Sequence, residues 1–421
     1  MGIALVAVAV LSGTGIYVLA GRLSLNMEKN GTSSEPPAQD NTPVASTGRE
    51  ERPQVTETEP EPAAPAGEEL LEEKLDQILS GMTTEEKVAQ LFIVTPEALT
   101  GVESVTQAGE STREALSRRP VGGLIYFRNN LKNPEQVKAL TGNTARIGRE
   151  VCALPLLLSV DEEGGKVTRI GGREGFDVPV FPNMAEIGAV NDAQKAYEVG
   201  SAIGGYLSEY GFNMDFAPDA DVLTNSANQV IGSRSFGTDA QLVWSMASQV
   251  ARGLKDRGVQ PVYKHFPGHG ATLGDTHDGF AYTEKTLDEL MEAELVPFAN
   301  AVKSGENCIM AAHIAAPGVT GDETPASLSY GLITGVLREK LGFDGVVVTD
   351  ALNMGAIQNL YSSGQAAVAA VEAGADLLLM PADFDAAYEA VLQAVQEGKI
   401  SRERLDLSVR RIGRMKLESV S

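Results

Sequence analysis

Three of the four histidines in this 421-residue chain, His265, His269 and His277, fall within thirteen positions, and Asp275 stands two residues before the last of them. Histidine titrates closest to neutral pH of all side chains, so such a cluster suits proton transfer or metal binding. An aspartate that accepts from one ring nitrogen fixes the tautomer and leaves the other nitrogen able to exchange a proton. Asp275 and His277 have the types for that pairing. His265, His269, His277 and Asp275 are also metal-ligand types. However, Pro267-Gly268 between the first two predicts a loop, not the helix face on which paired histidines usually hold zinc. No metal and no cofactor are therefore expected.

A second candidate is Asp350, which closes the run Gly345-Val346-Val347-Val348-Thr349 with no other charge in it. A carboxylate in that place is either a satisfied structural group or a nucleophile.

The elements that must position these residues read as alternating strands and helices. Short apolar runs occur at Leu91–Val94, Gly123–Phe127, Pro155–Val160, Asn213–Ala217, Val259–Tyr263, Cys308–Ala312, Gly345–Val348 and Asp376–Met380. Stretches of helical periodicity lie between them, among them Leu287–Val302, Ala366–Ala373 and Tyr388–Val395, and Thr83 with Glu86 forms a capping box that should open the first helix. Eight such units predict an α/β fold, a single (β/α)8 TIM-type barrel, with an open doubly wound sheet as the alternative. Asp161, Lys264 with His265, His313 and Asp350 stand just beyond the third, fifth, sixth and seventh strands. In a barrel those ends share one face, where catalytic groups gather.

Composition divides the chain into three parts. Residues 1–22 hold an uncharged run from 2 to 21, long enough for a membrane-spanning helix and also readable as a cleavable signal peptide with Val18-Leu19-Ala20 before Gly21. Residues 23–69 read as a disordered acidic, Pro-rich linker, with seven prolines, nine acidic and two basic residues from 30 to 69. Residues 70–421 are left for the barrel. Export from the cytoplasm is expected, membrane-anchored or secreted, and a lipid-modified cysteine is not, because Cys152 and Cys308 are the only cysteines. Both read as free thiols. The formal charge of −23 argues against nucleic acid or anionic polymers as partners. A monomer is expected.

Five motifs, in order, resemble glycoside hydrolase family 3, in its branch of β-N-acetylglucosaminidases acting on peptidoglycan fragments. They are Gly81-Met82-Thr83-Thr84-Glu85-Glu86-Lys87, Asp161-Glu162-Glu163-Gly164-Gly165 with Arg169, Ser233-Arg234-Ser235-Phe236-Gly237, Lys264-His265-Phe266-Pro267-Gly268-His269-Gly270 with Asp275-Thr276-His277, and Val348-Thr349-Asp350-Ala351-Leu352-Asn353-Met354. The resemblance implies that Asp350 is the nucleophile and that His277 with Asp275 is the general acid/base dyad. It also implies that Asp161, Arg169, Arg234, Lys264 and His265 bind the sugar, each with a salt-bridge role as the alternative. Thr276 replaces a more usual serine and keeps the hydroxyl. His269 is expected to shape its loop.

The implied activity is exo-acting, retaining removal of terminal GlcNAc from small oligosaccharides or muropeptides. A phosphorylase or a β-glucosidase of the same family is the alternative. The β-glucosidases take their acid from a second domain, and the roughly 70 residues after Asp350 are expected only to complete the barrel. A non-catalytic glycan-binding module is disfavoured because Asp350 and the dyad are both present.

Overall fold

The computed structural model describes residues 67–272, 274 and 281–418. Residues 1–66, which hold the candidate membrane or signal run and most of the acidic linker, lie outside the described residues, as do Asp275, Thr276 and His277. Eleven strands are described: β1 Phe92–Val94, β2 Gly123–Ile125, β3 Leu157–Val160, β4 Met214–Asp215, β5 Gln260–Pro261, β6 Tyr263–Phe266, β7 Ala281–Tyr282, β8 Cys308–Ala311, β9 Ile314–Ala315, β10 Val346–Thr349 and β11 Leu378–Leu379.

All eight expected runs supply strands. One sheet has the order β11-β1-β2-β3-β4-β5, a second β10-β8-β6, and β7 pairs with β9; every pairing is parallel. Single parallel bridges link the two larger sheets, Asp219 with Lys264 and Val348 with Leu377. The result is an α/β fold on a parallel sheet, and the circuit of pairings is consistent with a barrel. Strands β1, β3, β8 and β10 are buried along their whole length, as continuous apolar runs must be when both faces are covered.

The fifth strand departs from the simple reading. Pro261 has no N–H to donate to the ladder, and there the strand divides. β5 pairs with β4, whereas β6 pairs with β8 through a ladder that shifts between Tyr263 and Phe266. Lys264 and His265 therefore lie within a strand, not beyond its end. In a regular strand, neighbours face opposite sides. The irregular register lets both line one cavity.

Two helix expectations also change. The capping box is present, with Thr83 Oγ1 accepting from Glu86 N and Glu86 from Thr83 N, but it opens Thr84–Gln90, the second described helix. Helix Gly67–Gly81 precedes it, burying Leu75 and Leu79. The expected Leu287–Val302 helix is two helices, Leu287–Glu292 and Val296–Lys303, because Pro297 favours a helix's first turn over its interior.

Helix Gly67–Gly81 is clasped to the last helix, Arg402–Glu418. Arg410 bonds Glu72 and Asp76, and Arg414 bonds Glu68 and Glu72. A Cβ on Gly413 would lie 2.5 Å from Leu75 Cδ1, so glycine there lets the two helices approach closely. Both cysteines are free thiols.

Candidate active site

Asp161 follows β3, Asp350 follows β10, and Lys264 and His265 lie in β6. Arg169 comes from the loop after β3, and Arg234 from the short turn Gly232–Arg234. All six line one cavity of about 500 Å³, so the expected site residues outside the 275–277 segment do come together. Phe127, Met310, Met354, Leu379 and Met380 supply an apolar wall. Fixed polar groups facing an apolar surface suit a sugar, whose hydroxyls and ring hydrogens need both.

The polar wall is a network of charges. Asp161 Oδ2 lies 3.1 Å from Arg169 Nη2, and its Oδ1 lies 3.1 Å from Lys264 Nζ. Glu163 accepts from Arg234 Nε and Nη2 at 2.9 and 2.7 Å, and lies 2.6 Å from Lys264 Nζ. Burial alone would raise the Glu163 carboxyl, but Arg234 and Lys264 outweigh it and hold it well below the usual carboxylate range. Burial would likewise lower Lys264, but Glu163 and Asp161 hold its ammonium above the usual lysine range. Paired this way, buried charges remain charged. Asp161, Arg169, Arg234 and Lys264, expected to bind the sugar or to serve in salt bridges, are thus ion-paired, and the pairing leaves them lining the cavity.

Behind His265 stand two buried carboxylates that the motifs did not single out as binders. His265 Nδ1 lies 2.6 Å from Asp221 Oδ2, and Asp221 N donates to Asp219 Oδ1. Arg234 Nη2 lies 3.2 Å from His265 Nε2. Burial first, and Arg234 next, push the imidazole down to about 4. A neutral ring fits both contacts, with Nδ1–H donating to Asp221 and Nε2 accepting from Arg234. Burial and the neighbouring Asp221 push Asp219 up to about 7.

Asp219, Asp221 and His265 offer ligand-type atoms within 4.8 Å of one another. In this chain those atoms orient the imidazole and face the Arg234 guanidinium 3.5 Å from Asp219. His269 holds its own turn, as expected. Its Nδ1 lies 2.8 Å from Thr272 Oγ1, and its carbonyl accepts from Asn228 Nδ2.

Asp350 is half-buried, and its Oδ1 accepts the Ala351 N–H at 2.8 Å. Burial opposes its ionisation, but His313, His265, the Ala351 N–H and Lys264 outweigh that and lower it below the ordinary value. An ionised carboxylate at a cavity wall is what nucleophilic attack requires. His313, fully buried, donates from Nε2 to the Ala351 carbonyl at 2.9 Å, and its Nδ1 lies 2.7 Å from Ser327 Oγ. It thereby fixes the turn that presents Asp350. Met380 has a left-handed backbone at φ 47°, uncommon for a long side chain, and its N–H donates to the Ile93 carbonyl. No sequence signal marked Met380, Glu163 or Asp219 individually, although Glu163 lies inside a motif.

The profile of the glycosyl hydrolase family 3 N terminal domain matches residues 83–415. The chain belongs to this family. A β-N-acetylglucosaminidase structure of the family from Paenibacillus sp. str. FPU-7 shares 42% identity with a TM-score of 0.76, over 81% of this family 3 chain and 63% of that one. Beta-hexosaminidase LpqI of Mycobacterium tuberculosis is 34% identical over 343 residues, covering 80% of this chain and 83% of the relative. Beta-hexosaminidase A of Pseudoalteromonas piscicida is 34% identical over 327 residues, 72% of this chain, and the family 3 chain spans about half of that relative's length (54%).

Proposed function

We propose that this chain is an exo-acting, retaining β-N-acetylglucosaminidase that removes non-reducing terminal GlcNAc from small oligosaccharides or cell-wall fragments, on a (β/α)8 TIM-type barrel. The observation that carries this reading is the ionised Asp350 sharing a cavity with Asp161, Arg169, Arg234, Lys264 and His265. Hexosaminidase relatives matched over most of their length support the sugar assignment.

In the proposed reaction a carboxylate oxygen of Asp350 forms a bond to C1 while the bond from C1 to the leaving oxygen breaks. His277, oriented by Asp275, gives its proton to that oxygen. The neutral His277 then removes a proton from water, which displaces Asp350 from C1, and two inversions give retention.

Hydrolysis of nitrophenyl GlcNAc should exceed that of nitrophenyl glucose and be unaffected by inorganic phosphate. A glucose preference would overturn the sugar assignment. Release of a sugar phosphate would replace hydrolysis by phosphorolysis.

The uncharged 2–21 run and the acidic Pro-rich segment support an exported enzyme held at or released from a membrane. Mature protein beginning at Gly21 would show cleavage, and full-length protein in the cytosol would overturn export. Removing residues 1–66 should leave activity on a soluble substrate unchanged, since the cavity is lined from Ile125 onward.

A further inference from the structure

Glu294 lies between helices Leu287–Glu292 and Val296–Lys303 and is fully buried, yet it lines no wall of the active-site cavity. Its Oε1 accepts from Lys285 Nζ at 2.5 Å and also from Thr224 Oγ1. Its Oε2 is buried with no partner among the described residues.

Of the residues Glu294 joins, Lys285 follows the segment 273–280, which carries Asp275 and His277, and Thr224 precedes Asn225, which holds the chain just before that segment. On the outgoing side, the Asn225 side chain donates to the Thr272 carbonyl at 2.9 Å, and Asn225 N donates to Gly270 O at 3.0 Å. Asn225 is next to Thr224, which Glu294 holds. Glu294 also packs against Gly268, where a Cβ would fall 2.5 Å from the Glu294 Cβ. On the returning side, Ala281–Tyr282 pairs with Ile314–Ala315, and Lys285 follows, tied to Glu294. One carboxylate oxygen thus links the returning limb directly, through Lys285, to the outgoing limb through Thr224 and Asn225.

We propose that Glu294 is a positioning residue for general acid/base catalysis, setting the separation of the two limbs that carry Asp275 and His277. The inference rests on the acid/base reading given above. A side chain acting in this way influences proton donation to the leaving group more than sugar binding, because it touches neither Asp350 nor the polar wall.

The test compares kcat/KM for nitrophenyl GlcNAc and for the GlcNAc disaccharide in wild type, His277→Ala, Glu294→Gln and Lys285→Met, with Tm measured for each. kcat/KM reports the glycosylation step, where leaving-group protonation matters for a sugar aglycone and little for a nitrophenolate. The loss in Glu294→Gln should be about tenfold or more larger on the disaccharide, within the range that general acid catalysis supplies. Lys285→Met, at a side chain one-third exposed, should show the same direction with a smaller ratio. It decides the question if Glu294→Gln does not fold. Equal losses on both substrates in these two variants, while His277→Ala remains unequal, would overturn the positioning role and leave acid/base catalysis standing. Equal losses in His277→Ala would overturn that reading, and this inference with it.

Discussion

Lys264 places its ammonium 2.6 Å from Glu163 although the two side chains are only 3% and 2% exposed. Such a pair is costly to break from one side, because the partner is left charged in a place water does not reach. Asp161 and Arg234 complete the neutralisation. The polar wall of the cavity and the local stability of the fold therefore depend on the same charges.

Glu163→Gln should lower stability by about 3–5 kcal/mol, the scale of a broken buried pair. It should also raise KM for GlcNAc substrates, since Arg234 and Lys264 lose the carboxylate that aims them. Urea unfolding alongside steady-state kinetics checks both. A stable variant with unchanged KM would mean that the remaining acids suffice.

His265 should not titrate in the activity profile near neutral pH, because its imidazole is pushed down to about 4 by burial and by Arg234. The profile of kcat/KM from about pH 5 to 8 should keep its shape in His265→Asn while its height falls. For stability the sign follows from the depressed value. Unfolded chains take up a proton near 6.5 and the native ring does not. Its contribution is complete above 6.5 and is lost as pH falls towards 4.

Asp350→Ala should reduce turnover on the order of 10⁴-fold or more on every substrate, the scale seen when a nucleophile is removed. In the wild type, NMR of the first product before mutarotation should show the β anomer. An α anomer would exclude the covalent ester.

A different titration is expected at Lys416, which is buried with its ammonium donating to Gln90 Oε1 at 2.7 Å. Burial pushes it down to about 7, against a slight opposing pull from Cys152. Between that value and the ordinary lysine range the unfolded chain binds a proton that the native fold lacks, so stability should rise with pH by about 1.4 kcal/mol per unit from this group. Below 7 its contribution is flat. Lys416→Met should remove that slope, measured by urea unfolding at about pH 7.5 and 9.5.

The strand-end acids were legible because the first charge after an apolar run marks where a buried strand reaches the open rim of the sheet. Asp161 and Asp350 both follow that rule. Arg234 was legible only through its motif, since its partner Glu163 is 71 residues away and no local pattern encodes the pairing. Asp219 and Asp221 follow β4, a strand of two residues, too short for periodicity to point at what comes next. Helix Gly67–Gly81 begins inside the stretch that composition assigned to the linker. Its acids continue the linker's charge, and Glu68, Glu72 and Asp76 meet arginines more than 330 residues later. Pro297 carried a readable signal that the apolar pattern overrode.

The clasp between the first and last described helices also bears on when the chain can finish folding. Strand β1 has its β11 neighbour at Leu378–Leu379, and Leu75 has its neighbour at Gly413. Both partners are made late. A ribosome releasing this chain from its N-terminus would therefore hold an unfinished domain until the Arg402–Glu418 helix has emerged, with apolar edges in need of cover. Contacts between distant parts of a sequence also form slowly. The same dependence means that a truncation reaching the Arg402–Glu418 helix should cost solubility before it touches any residue of the cavity.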